Sequence, residues 1–498
     1  MTEGNPYIPP ELLKMLELPY GYSLLLKGDG GVGKSTLAFE LLVKTKGKNA
    51  TYLSTRVAPD QLFEHFPWVH DEVEHEIVVQ DATQAGLTFN NPLKEEQIAL
   101  KFDGMPDLLR ILVEMADQAT GQLFIVIDSW DALQLTFQHV QSGRQLDRPQ
   151  LSEDLNYMYN VFMGLVRQKN IKLILVAENV SEMDFLVDAV VELRREFLPN
   201  NKLIRVAEIK KSRGIRIDNT SYLFTLEDGR FKAFFPWDVQ LVNEIKTMPL
   251  EFSYNDKNFR MSIGTMFSDT LPLQFGSFSI EPMHPEFISL FIENLARDQL
   301  SGDNLFTVTP PANFDIMAFK EKMLAFIKDK GIDPERYYKN IKIHVSDTFP
   351  LDPVKEEENV IPISSVDGQS SIESILTRYK TAFASYIDAG GFKRAVHFGW
   401  LESLASMADN ISELPREFFT LMKKGLLPAT SIYIVALYSD DPFLKDLQKI
   451  SLFSIELQFY RGTPLVNIAS PQNPSIYGLL CPSEGGLPIK TFEIYPIV

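Results

Sequence analysis

Apolar and polar positions along the chain fall into two rhythms. Ser23-Leu24-Leu25-Leu26, Leu123-Phe124-Ile125-Val126-Ile127 and Leu173-Ile174-Leu175-Val176-Ala177 are compact apolar runs, as strands are when both faces of a parallel sheet are covered. Thr36-Leu37-Ala38-Phe39-Glu40-Leu41-Leu42 instead has the spacing of a helix. Strands and helices in alternation predict an α/β fold with mainly parallel sheets flanked by helices. No run approaches the ~18 uninterrupted apolar residues of a membrane span. The segment Met1-Thr2-Glu3-Gly4-Asn5-Pro6 lacks the basic and apolar regions of a signal peptide.

The order of elements then repeats. Leu271-Pro272 and Phe275-Gly276-Ser277-Phe278-Ser279-Ile280 echo Leu18-Pro19 and Tyr20-Gly21-Tyr22-Ser23-Leu24-Leu25. A helix over 286–297 follows, then the strand Leu305-Phe306-Thr307-Val308-Thr309-Pro310, parallel in order to the strand around Tyr52. A helix over 372–387 leads to Ala395-Val396-His397-Phe398-Gly399-Trp400, where the strand ending in Asp128 would fall. Phe443-Leu444 with Asp446, and Ile455-Glu456-Leu457, echo Phe185-Leu186 with Asp188, and Val191-Glu192-Leu193. Same-order correspondences predict a tandem duplication, with one domain over 1–239, a connector over 240–270 and a second domain over 271–498.

Composition narrows the class. The 498 residues are 45% hydrophobic and 23% charged, which is ordinary for a folded protein and excludes disorder as the main state. Cys481 is the single cysteine, so no intrachain disulfide can form. These features predict a cytoplasmic protein without membrane association. The net charge of −18 repels polyphosphate at long range, so coating of nucleic acid is disfavoured.

One segment carries chemistry. Gly28-Asp29-Gly30-Gly31-Val32-Gly33-Lys34-Ser35-Thr36 fits G-x-x-x-x-G-K-[ST] in full, between a strand and a helix. Glycines let successive backbone N–H groups converge on a phosphate without Cβ clashes, and the helix turns its positive end to the same anion. Lys34 would reach the β- and γ-phosphates and Ser35 would hold Mg²⁺. Asp29 is an acid in that loop, expected to point outward. The motif predicts an ATP–Mg²⁺ site. An acid ending a buried strand is its second part, and Asp128 is the residue expected on the metal side. Strands also end in Asp for capping, so its position after the glycine loop is what gives Asp128 this reading.

These motifs, with Ile127-Asp128-Ser129, Ala132-Leu133 and Lys211-Ser212-Arg213-Gly214, make the first 235 residues resemble the KaiC branch of RecA-like P-loop ATPases. The resemblance implies that Lys211 and Arg213 reach the γ-phosphate bound by a neighbouring subunit; two exposed bases on an edge strand are the plainer alternative. A nearer likeness is to the GvpD-like gas-vesicle regulators of archaea, carried by Tyr52-Leu53-Ser54-Thr55-Arg56-Val57, Phe66-Pro67-Trp68 and the basic stretch from Arg194 to Arg216. It implies transcriptional control rather than metabolism. One departure stands out. Where KaiC-like ATPases place a water-activating Glu, this chain has Arg56-Val57, and arginine accepts no proton at neutral pH. Arg56 could bind phosphate instead; the catalytic base is left unassigned, with Asp60 and Glu178 as the candidates to replace it. Tight binding with slow or partner-dependent hydrolysis is expected.

The second half keeps the order but not the chemistry. Its loop reads Pro282-Met283-His284-Pro285, without glycine or lysine, and Phe398-Gly399 stand where the acid is expected. His284 and His397 read as structural. Between 194 and 216, Arg194, Arg195, Lys202, Arg205, Lys210, Lys211, Arg213 and Arg216 face only Glu196 and Glu208, a local +6 (8 − 2) that leaves −24 (−18 − 6) elsewhere. A solvated hairpin, phosphate sensing in a neighbour, an acidic protein partner and nucleic acid all compete for this stretch, with subunit or partner contact favoured. The leading expectation is therefore a nucleotide switch in a homo-oligomer. A RecA/RadA-type DNA-stimulated ATPase or recombination mediator, and a scaffold stabilised by ATP, are the rivals.

Overall fold

The computed structural model describes residues 7–45, 49–69, 77–81, 114–117, 121–132, 134, 159–160, 162–178, 183–198, 201–237, 250–254, 274–346, 349–350, 354, 356–363, 372–392, 394–406, 431–470, 475–480 and 490–498. Outside them lie Leu133, Pro199 and Asn200 of the basic stretch, residues 240–249 and 255–270 of the expected connector, Leu271-Pro272 and Cys481. The chain divides into two units, one of residues 1–235 with 497–498 and one of residues 236–496.

In the first unit, α1 (Pro10–Glu17) leads to β1 (Tyr22–Gly28), α2 (Lys34–Val43), β2 (Asn49–Ser54), α3 (Pro59–His65), β3 (Ile77–Asp81), β4 (Leu123–Asp128) and β5 (Ile171–Ala177). The short α4 (Met183–Leu186) follows, then β6 (Ala189–Phe197), β7 (Leu203–Ser212), β8 (Ser221–Thr225) and β9 (Lys232–Phe234). Their sheet runs β3-β2-β4-β5-β1-β6-β7-β8-β9, parallel as far as β6 and antiparallel beyond it. β1, β4 and β5 are apolar on both faces because both are covered: Leu24, Leu26, Val126 and Ile174 pack on one side, Leu25, Ile125, Ile127 and Leu175 on the other.

The second unit contains β10 (Leu250–Tyr254), β11 (Gln274–Ile280), α5 (Glu286–Ser301), β12 (Leu305–Thr309), α6 (Ile316–Asp329), α7 (Glu335–Asn340), β13 (Ile341–Ser346) and β14 (Val360–Ile363). Then come α8 (Ile372–Gly390), β15 (Ala395–Trp400), α9 (Leu401–Ala405), β16 (Ser431–Tyr438), α10 (Leu444–Ile450), β17 (Phe453–Tyr460), β18 (Thr463–Ala469), β19 (Ser475–Leu480) and β20 (Lys490–Pro496). The sheet runs β10-β20-β19-β18-β17-β11-β16-β15-β12-β13-β14. Read from β13 to β20, this is the order of the first sheet strand for strand, with β14 and β10 added at the edges. Part of the stretch read as connector, Leu250–Tyr254, is thus a strand of this sheet, paired in parallel with β20.

Register repeats as well as order. Leu123 pairs with Asn49 and Ile171, each the first residue of its strand, and Ala395 pairs likewise with Leu305 and Ser431. Leu24 meets Ala189 as Gly276 meets Phe453. The residue at Asp128's position is therefore Trp400, the last of β15, and not the Phe398-Gly399 pair expected from the sequence. The fold class is as expected: two α/β units with mainly parallel sheets flanked by helices.

Candidate functional site

The glycine loop occupies residues 28–33, between β1 and α2. Gly28 has φ 147°, and a Cβ there would stand 2.1 Å from the Leu193 carbonyl oxygen on β6, so only glycine lets the neighbouring strand approach. Gly33, φ 112°, supplies the left-handed turn into the helix. Val32 is fully buried beneath the loop and Asp29 is exposed, as are Gly30 and Gly31.

Lys34 Nζ donates to the carbonyls of Gly28 (2.6 Å) and Asp29 (2.7 Å), inside the curve of the loop. Burial pushes its pKa down, opposed by the carboxylates of Glu178, Asp128 and Asp131. Ser35 Oγ donates to Asp128 Oδ2 at 2.6 Å. Loop and strand-end acid, separate in sequence, meet here. The same Oδ2 accepts a hydrogen bond from the Tyr52 hydroxyl. Tyr52 is fully buried on β2, its ring stacked on Phe39 at 4.0 Å, and burial beside Asp128 raises its pKa well above the ordinary value. It stays a donor at neutral pH. Thr36 is buried at the base of α2. The hard oxygen donors of Asp128 and Ser35 fit Mg²⁺, a cation that keeps water and phosphate ligands as well.

The end of β2 is clasped to the end of β4. Thr55 N donates to the Asp128 carbonyl (2.8 Å), and Thr55 Oγ1 donates to the Ser129 carbonyl (3.0 Å) and accepts from Ser129 N (2.8 Å). Arg56 follows, and its Nη1 lies 2.8 Å from Glu178 Oε1, with Nη2 3.9 Å from Asp131. The guanidinium holds the Glu178 carboxyl below its usual pKa. Glu178 is itself tied to the site: its N–H donates to Asp131 Oδ2 (2.7 Å) and its carbonyl accepts from Gly28 N (3.3 Å). Asp60 is exposed in the first turn of α3. From the sequence, Tyr52 has no site role beyond its place in the GvpD-like segment, and Asp131 has none. Asp131 lies three residues past Asp128, the one signal that could have drawn attention to it.

The basic stretch is the β6–β7 hairpin and the turn after it. Arg194 pairs with Glu208, Lys210 with Glu208 and Glu192, and Arg216 with Asp218. Arg195 Nη2 donates to the Gly31 carbonyl (2.8 Å), clamping the glycine loop from outside. Lys211 Nζ donates to the carbonyls of Asp184 (2.7 Å) and Val187 (2.6 Å), and Arg213 lies 3.5 Å from Asp188. In this structure Lys211 and Arg213 therefore hold residues 184–188 of their own chain. Beside them Phe185 is 81% exposed.

In the second unit five residues again separate strand and helix, and Glu286 takes the position of Lys34. Glu286 Oε1 accepts from Trp237 Nε1 (3.1 Å) and lies 3.3 Å from His284 Nδ1. The His284 ring stacks at 3.7 Å on Phe459, the register equivalent of Arg195. A second acid, Glu281, accepts from Phe459 N (3.2 Å). Two carboxylates and two prolines thus occupy the loop. His397 is buried, with Nδ1 2.6 Å from Thr307 Oγ1.

Comparison with known proteins places these observations. Residues 13–208 match the family model described as GvpD gas vesicle protein, P-loop domain. The chain is 29% identical over 239 residues to GvpD1 of Halobacterium salinarum, covering 47% of this chain and 42% of that protein. It is 26% identical over 274 residues to GvpD2 of the same organism, covering 54% and 53%. The matches therefore span about half the length of these relatives. A KaiC-like protein from Pyrococcus horikoshii OT3 aligns over 44% of this chain and 91% of its own, at 18% identity and a TM-score of 0.32. Among the described residues no helix is long and apolar enough to cross a membrane. The glycine loop and its partner acid Asp128 both lie within residues 13–208, the stretch that matches the GvpD P-loop domain model.

Proposed function

We propose that the first unit binds ATP with Mg²⁺ and acts as a regulatory nucleotide switch whose hydrolysis is slow or partner-dependent. The observation that carries this reading is the convergence of Lys34, Ser35 and Asp128 at one glycine loop, with Ser35 Oγ 2.6 Å from Asp128 Oδ2. Lys34 would exchange its two loop carbonyls for β- and γ-phosphate oxygens, and the loop N–H groups would take the remaining charge. Ser35 and Asp128 would hold Mg²⁺, which supplies neutralisation of the phosphate oxygens. Tyr52 fixes the Asp128 carboxylate from the buried side. Slow hydrolysis is supported by Arg56 standing where a basic carboxylate is expected, with Glu178 engaged by that arginine.

The second unit supports regulation over catalysis. Its loop presents Glu281 and Glu286 where phosphate would sit, so it is read as a partner in assembly rather than a second ATP site. The exposed Phe185 among the bases Lys211 and Arg213 supports contact with another copy of the chain or with an acidic protein. Nucleic acid is not favoured, because most of the basic hairpin's cations are already engaged by carboxylates and carbonyls.

Lys34→Ala should abolish binding of a fluorescent ATP analogue in Mg²⁺ buffer, together with the change in oligomer size or partner capture that ATP–Mg²⁺ produces. Size by light scattering, partner capture and turnover should be measured on one sample. Saturating nucleotide that alters neither assembly nor partner binding rejects the switch. Brisk turnover by the isolated protein rejects slow hydrolysis.

A further inference from the structure

We propose that Arg56 and Glu178 form a latch worked by the terminal phosphate of a nucleoside triphosphate. Arg56 holds the Glu178 carboxylate as an ion pair, the γ-phosphate draws the guanidinium away, and the released carboxylate becomes the base for the attacking water. The inference rests on the ATP-binding reading above and names the group that performs, and restrains, its hydrolysis.

Position is the first argument. Arg56 follows the Thr55 clasp that joins β2 to β4 beside Asp128, and Glu178 follows β5, directly beside β1 in the sheet. The Gly28 N–H donates to the Glu178 carbonyl, so Glu178 is anchored to the phosphate loop itself. Both side chains lie within electrostatic range of Lys34.

The second argument is how the pair is held. The Arg56 and Glu178 side chains are 43% and 47% exposed. An ion pair so open to water is easily exchanged, and a terminal phosphate offers a guanidinium a stronger, bidentate partner. Glu178 does not depend on Arg56 for its place, since its N–H is fixed by Asp131 Oδ2 at 2.7 Å. Loss of the arginine frees the carboxylate while the backbone stays on the loop. Asp131, 3.9 Å from Arg56, gives the guanidinium a second carboxylate along which to swing.

The chemistry balances. The water oxygen forms a bond to the γ-phosphorus as the bond from that phosphorus to the β,γ-bridging oxygen breaks. The electron pair of the broken bond leaves on ADP. The water proton passes to Glu178 and then to solvent. While the pair is closed, the guanidinium engages Oε1 and lowers the proton affinity of the carboxylate, so water is activated only in the fraction of the triphosphate complex in which the pair has opened. A diphosphate, lacking the terminal group, leaves the latch closed.

The test is carboxyl labelling of the full chain by a carbodiimide with an amine, read at Glu178 by peptide mass spectrometry. Samples are nucleotide-free, with Mg-ADP, and with a Mg-bound non-hydrolysable β,γ-imido triphosphate, binding being verified in each by titration. Labelling of Glu178 should rise about threefold or more with the triphosphate and stay flat with ADP. Arg56→Ala should label at the high level without nucleotide and lose about tenfold in preference for triphosphate over diphosphate, the loss of one charge-assisted contact. Glu178→Gln should keep that preference and lose turnover. Triphosphate that binds without moving the Glu178 label overturns the latch alone, as does Arg56→Ala with wild-type labelling. Failure of the wild-type chain to bind nucleotide overturns the ATP reading and the latch with it.

Discussion

Asp128 accepts hydrogen bonds at one carboxylate oxygen from two hydroxyls of different origin, Ser35 at the start of α2 and Tyr52 inside β2. The spacing of the glycine loop and of the apolar run before Asp128 makes the first partnership readable from residue order. The second is hidden, because a tyrosine in an apolar strand beside a phenylalanine reads as core. It is core, and its hydroxyl also reaches Asp128. Tyr52→Phe keeps the ring stacking on Phe39 and removes the donor. We expect it to cost about 1.5–3 kcal/mol in stability, the range for a hydrogen bond to a charged group, measured by urea unfolding. Mg²⁺-dependent affinity for an ATP analogue should fall in the same variant. Unchanged Mg²⁺ dependence would confine Tyr52 to packing. Arg56 was likewise visible only as a departure; that it is held by Glu178 requires β2 and β5 to be brought to the same end of the sheet.

Elements decide which of these residues have freedom. β1 and β6 run side by side, and Gly28 meets Leu193 where the strands come closest. Gly28→Ala would place a methyl 2.1 Å from a backbone oxygen that cannot yield as a side-chain tip could, at a φ of 147°. We expect a loss on the order of 3 kcal/mol or more, seen as a lower melting temperature of the first unit and loss of nucleotide binding. A variant with wild-type melting would show that the strands separate there at little cost. The β6–β7 hairpin teaches the complementary lesson. Its charges are legible as a run of eight bases, but their use is not, because the opposing acids come from outside the run. Asp188, Glu192 and Asp218 join Glu208 as partners, and backbone carbonyls absorb Lys211. Net charge along a segment says little once an antiparallel partner supplies counter-charges across the ladder.

At the scale of the whole molecule, one strand order appears twice with one register, and the two copies differ in what fills it. His344 and His397 belong to the second copy, buried near Thr307, Phe383, Tyr386 and Tyr433, with Lys342 on the same strand as His344. Burial lowers them to about 4 and about 3. An unfolded imidazole titrates near 6.5, so below that pH the unfolded chain binds protons that the fold refuses. Stability is fully present above about 6.5 and falls as the pH drops toward the folded values. Between pH 7.5 and 5.5 the second unit should lose about 1.4 kcal/mol for each histidine. Hydrogen exchange would show protection falling in β15 but not in β4, and His344→Phe should flatten the response; equal behaviour of the two strands would overturn this account. Residue order alone determined the α/β class, the repeated order of elements, the glycine loop between strand and helix, and the place of Asp128 at the end of a buried strand, because these rest on local periodicity and spacing that any fold must respect. Only the tertiary structure decided that Trp400 replaces the acid, that Glu286 replaces the lysine, that Tyr52 and Ser35 share Asp128, and that Arg56 holds Glu178. Glu286 is placed by where β11 ends and α5 begins, and the other three depend on which strands lie side by side and in what register, set by the packing of both sheet faces at once.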